Sequence, residues 1–318
     1  MKDLLIVGKI PPPIGGVTIH VSRLWAYFCS RRDCSFLHLK DLFTGRGISS
    51  VLGHRIIHLH TSNVYLRLVF AVVGHILGKR TIITYHGNLS RYSWLKNEAD
   101  YLSLRWCSVP IVINRGSHTL ARGMNPRAQR VSAFIPPSDV QPLPLATLEV
   151  IERIKLRQRV FCTNAFNVTF DKHGLEIYGI TNLLSRFSLR SDYKLIISDP
   201  TGSYKAFVRV NAPDLIDVPH WICFPHDFCE VIKLSEGFIR NTSTDGDSIS
   251  VREALYLGKP VFATNVVDRP EGVLAYRDLD ELFALLQSGT TSNVGAVEPN
   301  TIEVLIDIYK ELGLGREP

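Results

Sequence analysis

An acidic pair flanks the start of a predicted helix late in the chain. Asp245 lies in a polar turn after an apolar strand, and Glu253 follows eight positions later. Ser248 is the predicted N-cap of a helix over 248–257, so Glu253 lies about one and a half turns inside it. The N–H groups and the dipole at a helix N-terminus favour a diphosphate. The pair suits a nucleotide sugar, with one carboxylate on sugar hydroxyls and one on the ribose. An ordinary strand–turn–helix unit with two solvated acids has the same spacing.

The residues around this pair follow a longer pattern. It reads acid-Gly, six residues, Glu-Ala, three residues, Gly-x-Pro-Val, and it resembles the acidic motif of retaining glycosyltransferases of family 4. The seven matching positions are Asp245, Gly246, Glu253, Ala254, Gly258, Pro260 and Val261. Asp245 stands where the family usually has Glu, so the side chain is one methylene shorter with the same charge.

The resemblance implies a fold and a reaction. The expected fold is α/β of the GT-B class, with two Rossmann-like domains facing across a cleft. The expected enzyme is a retaining, hexosyltransferase-like glycosyltransferase that needs no metal and no other cofactor. As the diphosphate leaves, the enzyme positions the reacting groups and stabilises the charge that develops. By resemblance, Asp245 holds the sugar and Glu253 the ribose. The backbone expected at the phosphates is that of Gly246, Asp247, Ser248 and Ile249.

A second glycine-containing turn lies near the N-terminus. Gly15 and Gly16 follow the first predicted strand and precede a helix, so the backbone there can approach a ligand closely. The spacing is neither G-x-G-x-x-G nor G-x-x-x-x-G-K-[ST], which argues against NAD and P-loop sites. The turn resembles the Gly-Gly loop of the family, which touches the donor phosphate and the acceptor. A tight turn without a ligand is the alternative.

Two histidines follow predicted parallel strands. His86 comes directly after a strand over 80–85, and by resemblance it lies near the hydroxyls of the donor sugar as a catalytic residue with Asp245. A structural histidine near a turn is the alternative. His60 ends the strand over 55–60 and is a candidate for acceptor contact, with a generic loop role as its alternative.

The start of the second domain departs from the family pattern. Family members usually have an Arg just after this strand and a Lys-Gly a few residues on, and the two basic residues bind the diphosphate. Here Asn167 stands at the Arg position, and Lys172 is the candidate for the Lys; in a second alignment that Lys is absent. Arg240 or Arg252 could supply the missing charge.

Size and patterning indicate two domains. The chain has 318 residues, of which 45% are hydrophobic and 21% charged, which suffices for two cores and argues against long disorder. Short apolar runs alternate with helical patterns, which predicts parallel sheets built from βαβ units. A proline-rich segment over 134–146 is the predicted linker. We expect an acceptor-side domain over 1–140 and a nucleotide-sugar domain over 141–318.

The individual elements can be predicted from the same patterns. Strands are expected over 4–7, 35–39, 55–60, 80–85, 110–114, 160–164, 193–198, 221–224, 237–240 and 260–264. Helices are expected over 17–29, 64–77, 92–106, 117–123, 175–187, 204–211, 227–234, 248–257, 279–287 and 301–312.

Composition indicates which binding partners and which cellular compartment to expect. The net charge is +6, but no basic run is interleaved with aromatic residues, so we expect no nucleic-acid partner. The six cysteines form no C-x-x-C pair and no zinc spacing with histidine, which indicates reduced thiols and a cytoplasmic protein. The N-terminus has a strand pattern rather than a signal peptide. Asp245 and Asp247 have Asp-x-Asp spacing but fall inside the family motif, so no metal site is expected.

The helix expected over 64–77 has an apolar face, and Lys79 and Arg80 follow it. This pattern favours peripheral docking on anionic lipid at the inner face of the cell membrane. The acceptor would then be a lipid-linked saccharide of surface polysaccharide biosynthesis rather than another saccharide. A buried Rossmann helix is the alternative for this segment.

Two other classes of function are open. A non-catalytic nucleotide-sugar-binding subunit with a degenerate diphosphate site is favoured by Asn167 at the Arg position. A Rossmann oxidoreductase or epimerase would need a dinucleotide, and the missing G-x-G-x-x-G argues against it.

Overall fold

The structure is a computed structural model and describes residues 2–165, 167–171, 173–289 and 300–315. These residues divide into two compact units. Unit 1 contains residues 2–135 and 300–315, and unit 2 contains residues 136–289. The change of unit after Ile135 falls inside the proline-rich segment that was predicted as the linker.

Strands and helices alternate through both units. The strands are β1 (Lys2–Gly8), β2 (Cys34–His38), β3 (His54–His60), β4 (Arg80–Tyr85), β5 (Val109–Val112), β6 (Gln129–Arg130), β7 (Arg159–Asn164), β8 (Tyr193–Ser198), β9 (His220–Ile222), β10 (Gly237–Arg240), β11 (Val261–Thr264) and β12 (Val273–Tyr276). The helices are α1 (Gly16–Phe28), α2 (Gly45–Gly53), α3 (Val64–Ile76), α4 (Trp94–Trp106), α5 (Arg115–Met124), α6 (Leu145–Lys155), α7 (Ile180–Phe187), α8 (Ser203–Asn211), α9 (Phe228–Leu234), α10 (Ile249–Tyr256), α11 (Leu279–Ser288) and α12 (Thr301–Glu311). Short 3₁₀ turns lie at Leu39–Asp41 and Pro213–Leu215.

Unit 1 contains a six-stranded parallel sheet in the order β2-β1-β3-β4-β5-β6. The four central residues of β1, from Leu4 to Val7, are fully buried because helices cover both faces of the sheet. The chain leaves β1 towards β2 on one side and returns to β3 on the other. Ligands of such sheets bind outside the carboxyl ends of the strands at this reversal.

The last helix of the chain belongs to unit 1. Its apolar residues lie in one core cluster with Leu4 and Ile6 of β1. The side chains of α12 in that cluster are Ile302, Leu305, Ile308 and Tyr309. The sequence predicts a second domain over 141–318, which would include this helix. The structure differs because an apolar helical stripe predicts that a helix is buried but not which sheet buries it.

Unit 2 contains a second six-stranded parallel sheet, in the order β12-β11-β10-β7-β8-β9. Counted within the unit, this is the Rossmann order, and the reversal lies between β7 and β10. Two core clusters fill its two faces. The residues that follow Asn164 and Arg240, at the carboxyl ends of these two strands, are therefore placed where a ligand should bind.

Most predicted elements are present, with ends that differ by one or two residues, but four were missed. These are α2, α6, β6 and β12. The helix predicted from 175 begins only at Ile180, because residues before it form an irregular segment with an isolated bridge between Phe170 and Glu176. In the described part of the chain, no helix is long and apolar enough to cross a membrane.

Candidate functional site

The turn between β10 and α10 has the form that the sequence predicted. Ser248 is the N-cap of α10, and its hydroxyl accepts a hydrogen bond from the N–H of Val251 at 3.5 Å. Cap residues leave other N–H groups of the first turn available to an anion. Residues 246–249 thus lie at a helix N-terminus, at the carboxyl edge of the unit 2 sheet.

Asp245 is buried between two guanidinium groups. Arg240 Nε and Nη2 each donate to its carboxylate at 3.1 Å, and Arg269 Nη1 donates at 2.8 Å. The N–H of Gly246 also donates to it, at 3.1 Å. Burial acts to raise the pKa of Asp245, but the charge and hydrogen bonds of Arg240, with those of Arg269, outweigh it and hold the pKa below its ordinary value. The group is therefore a carboxylate that orients two cations, and the three side chains together carry a positive charge.

The two arginines are fixed from opposite sides. Arg240 ends β10, its Nη1 lies 3.4 Å from the Asn164 oxygen at the end of β7, and its guanidinium lies over the Tyr178 ring. Arg269 follows β11 and donates from Nε to the backbone oxygen of Thr264 at 2.9 Å. Such bonds orient each guanidinium before any ligand arrives.

Asn164 connects the reversal point of the sheet to α10. Its side-chain nitrogen donates to the hydroxyl of Ser250, in the first turn of α10, at 2.8 Å. Its oxygen faces Arg240. The sequence analysis did not single out Asn164, Ser250 or Arg269, and only their positions near strand ends could have pointed to them.

Other predicted donor-site residues are placed as follows. Asp247 forms a buried ion pair with Arg252, a candidate for the missing positive charge. Glu253 is buried on α10. Asn167 is exposed, and its side-chain oxygen accepts from the N–H of Val168. Lys172 lies outside the described residues.

The Gly-Gly turn of unit 1 leaves open space beside the backbone. Gly15 is the N-cap of α1, which begins at Gly16, and its N–H donates to the Thr18 hydroxyl at 3.0 Å. Among the described residues, nothing lies within 4 Å of the position that a Cβ at Gly15 would take. Packing therefore does not require glycine there, and a ligand could approach.

Histidines converge at the carboxyl edge of the unit 1 sheet. His60 ends β3, His86 follows β4, and His20 lies on α1. His60 Nδ1 lies 3.1 Å from His86 Nε2, and the His20 ring centroid is 5.1 Å from that of each. Burial, and then the neighbouring histidines, lower the pKa of His60 and the pKa of His86 well below the ordinary value. Both rings are therefore neutral at pH 7.

The sequence analysis singled out His86 and His60 but not His20 and His58. His58 lies two positions before His60 on the same face of β3, and the two ring centroids are 4.0 Å apart. The period of a strand could have paired these two residues. Nothing local could have placed His20 beside them, because it lies on another element.

No protein-family model and no curated protein sequence matches the chain. Solved structures do match over nearly the whole length. Anabaena HepE in complex with UDP is 12% identical with a TM-score of 0.68, and the alignment covers 99% of this chain and 98% of that chain. Sucrose-phosphate synthase from Thermosynechococcus elongatus is 14% identical with a TM-score of 0.67, covering 99% and 97%. The lipopolysaccharide outer core galactosyltransferase WaaB is 13% identical with a TM-score of 0.60, covering 98% and 97%. These matches and the two parallel sheets confirm the predicted GT-B fold.

Proposed function

We propose that this chain is a glycosyltransferase that moves a sugar from a nucleotide-sugar donor to a saccharide acceptor. The observation that carries the proposal is the pair of guanidiniums of Arg240 and Arg269, fixed by Asp245 at the reversal point of the unit 2 sheet and near the N-terminus of α10. Among similar structures, HepE was crystallised with UDP and with UDP-glucose, and WaaB is named a galactosyltransferase.

The geometry suits a leaving diphosphate. As the bond between the sugar C1 and the phosphate oxygen breaks, negative charge develops on the diphosphate and positive character on the sugar. Oriented N–H groups and guanidiniums stabilise the first charge without reorganising. Asn167 stands where the family usually has an Arg that binds the diphosphate. In this proposal, the backbone N–H groups of residues 246–249 and the guanidiniums of Arg240 and Arg269 bind the diphosphate instead. No metal is then needed at the diphosphate.

The same proposal assigns roles to the acidic residues and to His86. Glu253 binds the ribose. Asp245 acts on the sugar and also holds Arg240 and Arg269. His86, as a neutral imidazole, can both donate to and accept from sugar hydroxyls. Retention of the anomeric configuration is part of this proposal and rests on the resemblance of the motif from Asp245 to Val261.

A screen of sugar nucleotides tests the proposal. One donor should raise the melting temperature of the purified protein and bind in calorimetry, and added saccharide acceptors should then release the nucleoside diphosphate. Anomer-resolved NMR of the product reports retention or inversion. Binding without transfer or hydrolysis would instead support the non-catalytic binding subunit, which the exposed Asn167 favours. Binding of NAD with no binding of any sugar nucleotide would contradict both.

A surface of unit 1 supports a lipid-linked acceptor. Helix α3 buries one side, as the buried-helix alternative expects, and also exposes apolar side chains. The exposed apolar residues of α3 and its C-cap are Tyr65, Val69, Val73, Ile76 and Leu77. A cavity of about 250 Å³ lies beside them, lined almost wholly by apolar side chains of α2, α3 and the residues next to them. Phe43 and Ile48 extend the exposed apolar surface. Arg46 on α2 and Arg80 at the start of β4 are exposed basic residues.

In this proposal, the surface docks on anionic lipid at the inner face of the cell membrane, where the acceptor is a lipid-linked saccharide. Ile76→Glu should weaken binding to anionic vesicles at low salt by about tenfold or more, because it removes about 1.5–3 kcal/mol of apolar burial. Leu189→Glu is the matched control, since Leu189 is equally exposed but lies on unit 2. Vesicle sedimentation at low and high salt measures the effect. If the unmodified protein does not sediment at low salt, the acceptor is soluble.

A further inference from the structure

Three histidines from separate parts of unit 1 present ring nitrogens to a common point. One ring nitrogen from each of His20, His60 and His86 lies within 4.8 Å of the other two. His20 comes from α1, His60 from the end of β3 and His86 from the residue after β4. The three elements meet at the carboxyl edge of the sheet, where the strand order reverses between β1 and β3.

Three imidazoles are a ligand set for a transition metal. Zinc in proteins is bound by histidine at about 2.0–2.1 Å, and catalytic sites often combine three protein ligands with an open fourth position. Tetrahedral ligands at that distance are separated by about 3.4 Å. The 3.1 Å separation of His60 Nδ1 and His86 Nε2 is already close to this value. The other distances between ligand nitrogens are at most 4.8 Å. Metal binding therefore requires these nitrogens to move closer together by up to about 1.4 Å.

The surroundings of His20 resemble the outer shell of a metal site. Its Nδ1 lies 2.7 Å from the backbone oxygen of Ala133, which can only accept, so Nδ1 carries the proton and donates. That bond fixes the tautomer and places the lone pair on Nε2. Metal-binding histidines almost always donate their other nitrogen to a carbonyl, a carboxylate or water in this way.

His58 and His60 differ in how their polar atoms are satisfied. His58 has a hydroxyl partner at each nitrogen, Tyr309 at 2.6 Å and Thr84 at 2.7 Å, and is a satisfied core histidine. At His60, Nδ1 faces the ring nitrogen Nε2 of His86 at 3.1 Å, and these are the two atoms that a metal would bind. Both nitrogens of His58 are therefore accounted for by hydroxyl partners, whereas Nδ1 of His60 belongs to the histidine cluster.

The charges near the cluster permit a dication. Burial is the largest cause of the lowered pKa of His86, and His20, His58 and the charge of Arg67 lower it further. Arg67 is itself paired with Asp100 at 2.9 Å inside the unit, so the two charges offset each other.

We propose that His20, His60 and His86 form a binding site for a divalent transition-metal cation of the zinc class, with a fourth position open to water or an oxygen ligand. The site selects Zn²⁺, Co²⁺ or Ni²⁺ over Mg²⁺ and Ca²⁺, which prefer oxygen ligands. This metal site is separate from the site of the donor diphosphate. The proposed function assigns that diphosphate site to unit 2, where no metal is needed. Because His86 also has a role in that proposal, a bound zinc ion should inhibit transfer rather than support it.

Cobalt titration of the metal-free, untagged protein tests the site. We expect one equivalent of Co²⁺ to give the visible bands of a tetrahedral complex, without the intense near-ultraviolet band of cobalt bound to thiolate. One equivalent of Zn²⁺ should bleach the bands, and millimolar Mg²⁺ should not. Octahedral spectra, thiolate bands or no stoichiometric binding would overturn the proposal.

Substitutions of the histidines test which residues bind the metal. His86→Gln and His20→Gln should each weaken Zn²⁺ binding in calorimetry by more than the 10–100-fold that outer-shell changes cause, since each removes a direct ligand. His75→Gln is the control, because His75 is exposed on α3 and packs only against Trp106 among the described rings. Unchanged affinity in a folded His86→Gln protein would overturn the proposal. If a variant does not fold, X-ray absorption of the zinc-loaded unmodified protein decides: three imidazole ligands support the site, and fewer than three refute it.

Discussion

The two units carry similar parallel sheets, yet their carboxyl edges differ in charge. At the reversal point of unit 1, His20, His60 and His86 form a cluster of imidazoles, and burial holds the pKa of His60 and the pKa of His86 well below the ordinary value. At the corresponding point of unit 2, Asp245 holds Arg240 and Arg269 in a buried group with net positive charge. The topology therefore brings strand ends together in both units, but the residues placed there decide which ligand each edge can take.

From this difference we infer that the two units bind different partners. Fixed cations beside a helix N-terminus suit a diphosphate, whereas neutral imidazoles suit hydroxyl groups or a transition metal.

The Arg240–Asp245 pair should contribute strongly to the stability of unit 2. Arg240→Gln should lower the free energy of unfolding by about 3 kcal/mol, because it leaves a buried carboxylate with one guanidinium partner fewer. Adding Asp245→Asn should restore part of the loss, since the uncompensated charge is then gone. Urea denaturation measures both variants. Arg277→Gln, at an arginine whose side chain is 76% exposed, is the control and should have little effect. A loss no larger than in this control would contradict the role given to the pair.

Glu253 should matter for nucleotide binding and not for the histidine cluster. Glu253→Gln removes a charge-assisted hydrogen bond to the ribose and should weaken nucleotide affinity by about 1.5–3 kcal/mol. Calorimetry with the donor nucleotide measures it. Glu281→Gln on α11, where Glu281 pairs with Arg277, is the matched control and should bind normally. Equal affinity in the two variants would remove Glu253 from the site.

Acid should weaken unit 1 through its histidines. Burial lowers the pKa of His58, His60 and His86 well below 6.5, so the unfolded chain takes up protons before the folded chain does as pH falls. Stability from these groups is thus present above about pH 6.5 and is lost progressively below it. Hydrogen exchange at pH 7.5 and 5.5, corrected for intrinsic rates, should show the larger loss of protection in unit 1.

Unit 2 provides the comparison for that experiment. Burial also lowers the pKa of His220 and the pKa of His226, so some loss is expected there. The pKa of Asp245 is held below 3.8 by its arginine partners, so the ion-pair contribution persists at pH 5.5 and is lost only in stronger acid. Equal losses in both units, or a greater loss in unit 2, would contradict this account.

Chelation should have the smallest effect on activity. In the proposed function, Arg240 and Arg269 supply the positive charge at the diphosphate. Because no metal is then needed there, excess EDTA should not lower turnover, and added Mg²⁺ or Mn²⁺ should not raise it. A steady-state assay of nucleoside diphosphate release measures this. Activity that disappears in EDTA and returns with Mg²⁺ or Mn²⁺ would show that the two guanidiniums are not sufficient.

Much of the fold could be predicted because buried parallel strands are short apolar runs between helical patterns. The exceptions have local causes. Helix α2 begins and ends at glycine and contains another, Gly47, so its sequence favours a loop. Helix α12 was placed in the wrong half because its apolar stripe fits either sheet. Strand β6 has only two residues, which is too short for a pattern.

The site could be predicted only in part, for a related reason. The turn from Asp245 to Ser248 and the helix after it follow from contiguous sequence, and so does the cap. Arg269 and Asn164 reach Asp245 or Arg240 through the sheet, across many residues of chain. Of the two arginine partners of Asp245, Arg240 was a candidate from the sequence but Arg269 was not, and neither was His20 beside His60 and His86.

A crystal structure of the protein with the nucleoside diphosphate of its donor would test the central claim most directly. The account predicts that the diphosphate lies at the N-terminus of α10, within hydrogen-bonding distance of the backbone N–H groups of residues 246–249 and of at least one of Arg240 and Arg269. It also predicts that Glu253 contacts the ribose. A nucleotide bound at the histidine cluster of unit 1, with the α10 turn unoccupied, would contradict the assignment of the donor to unit 2.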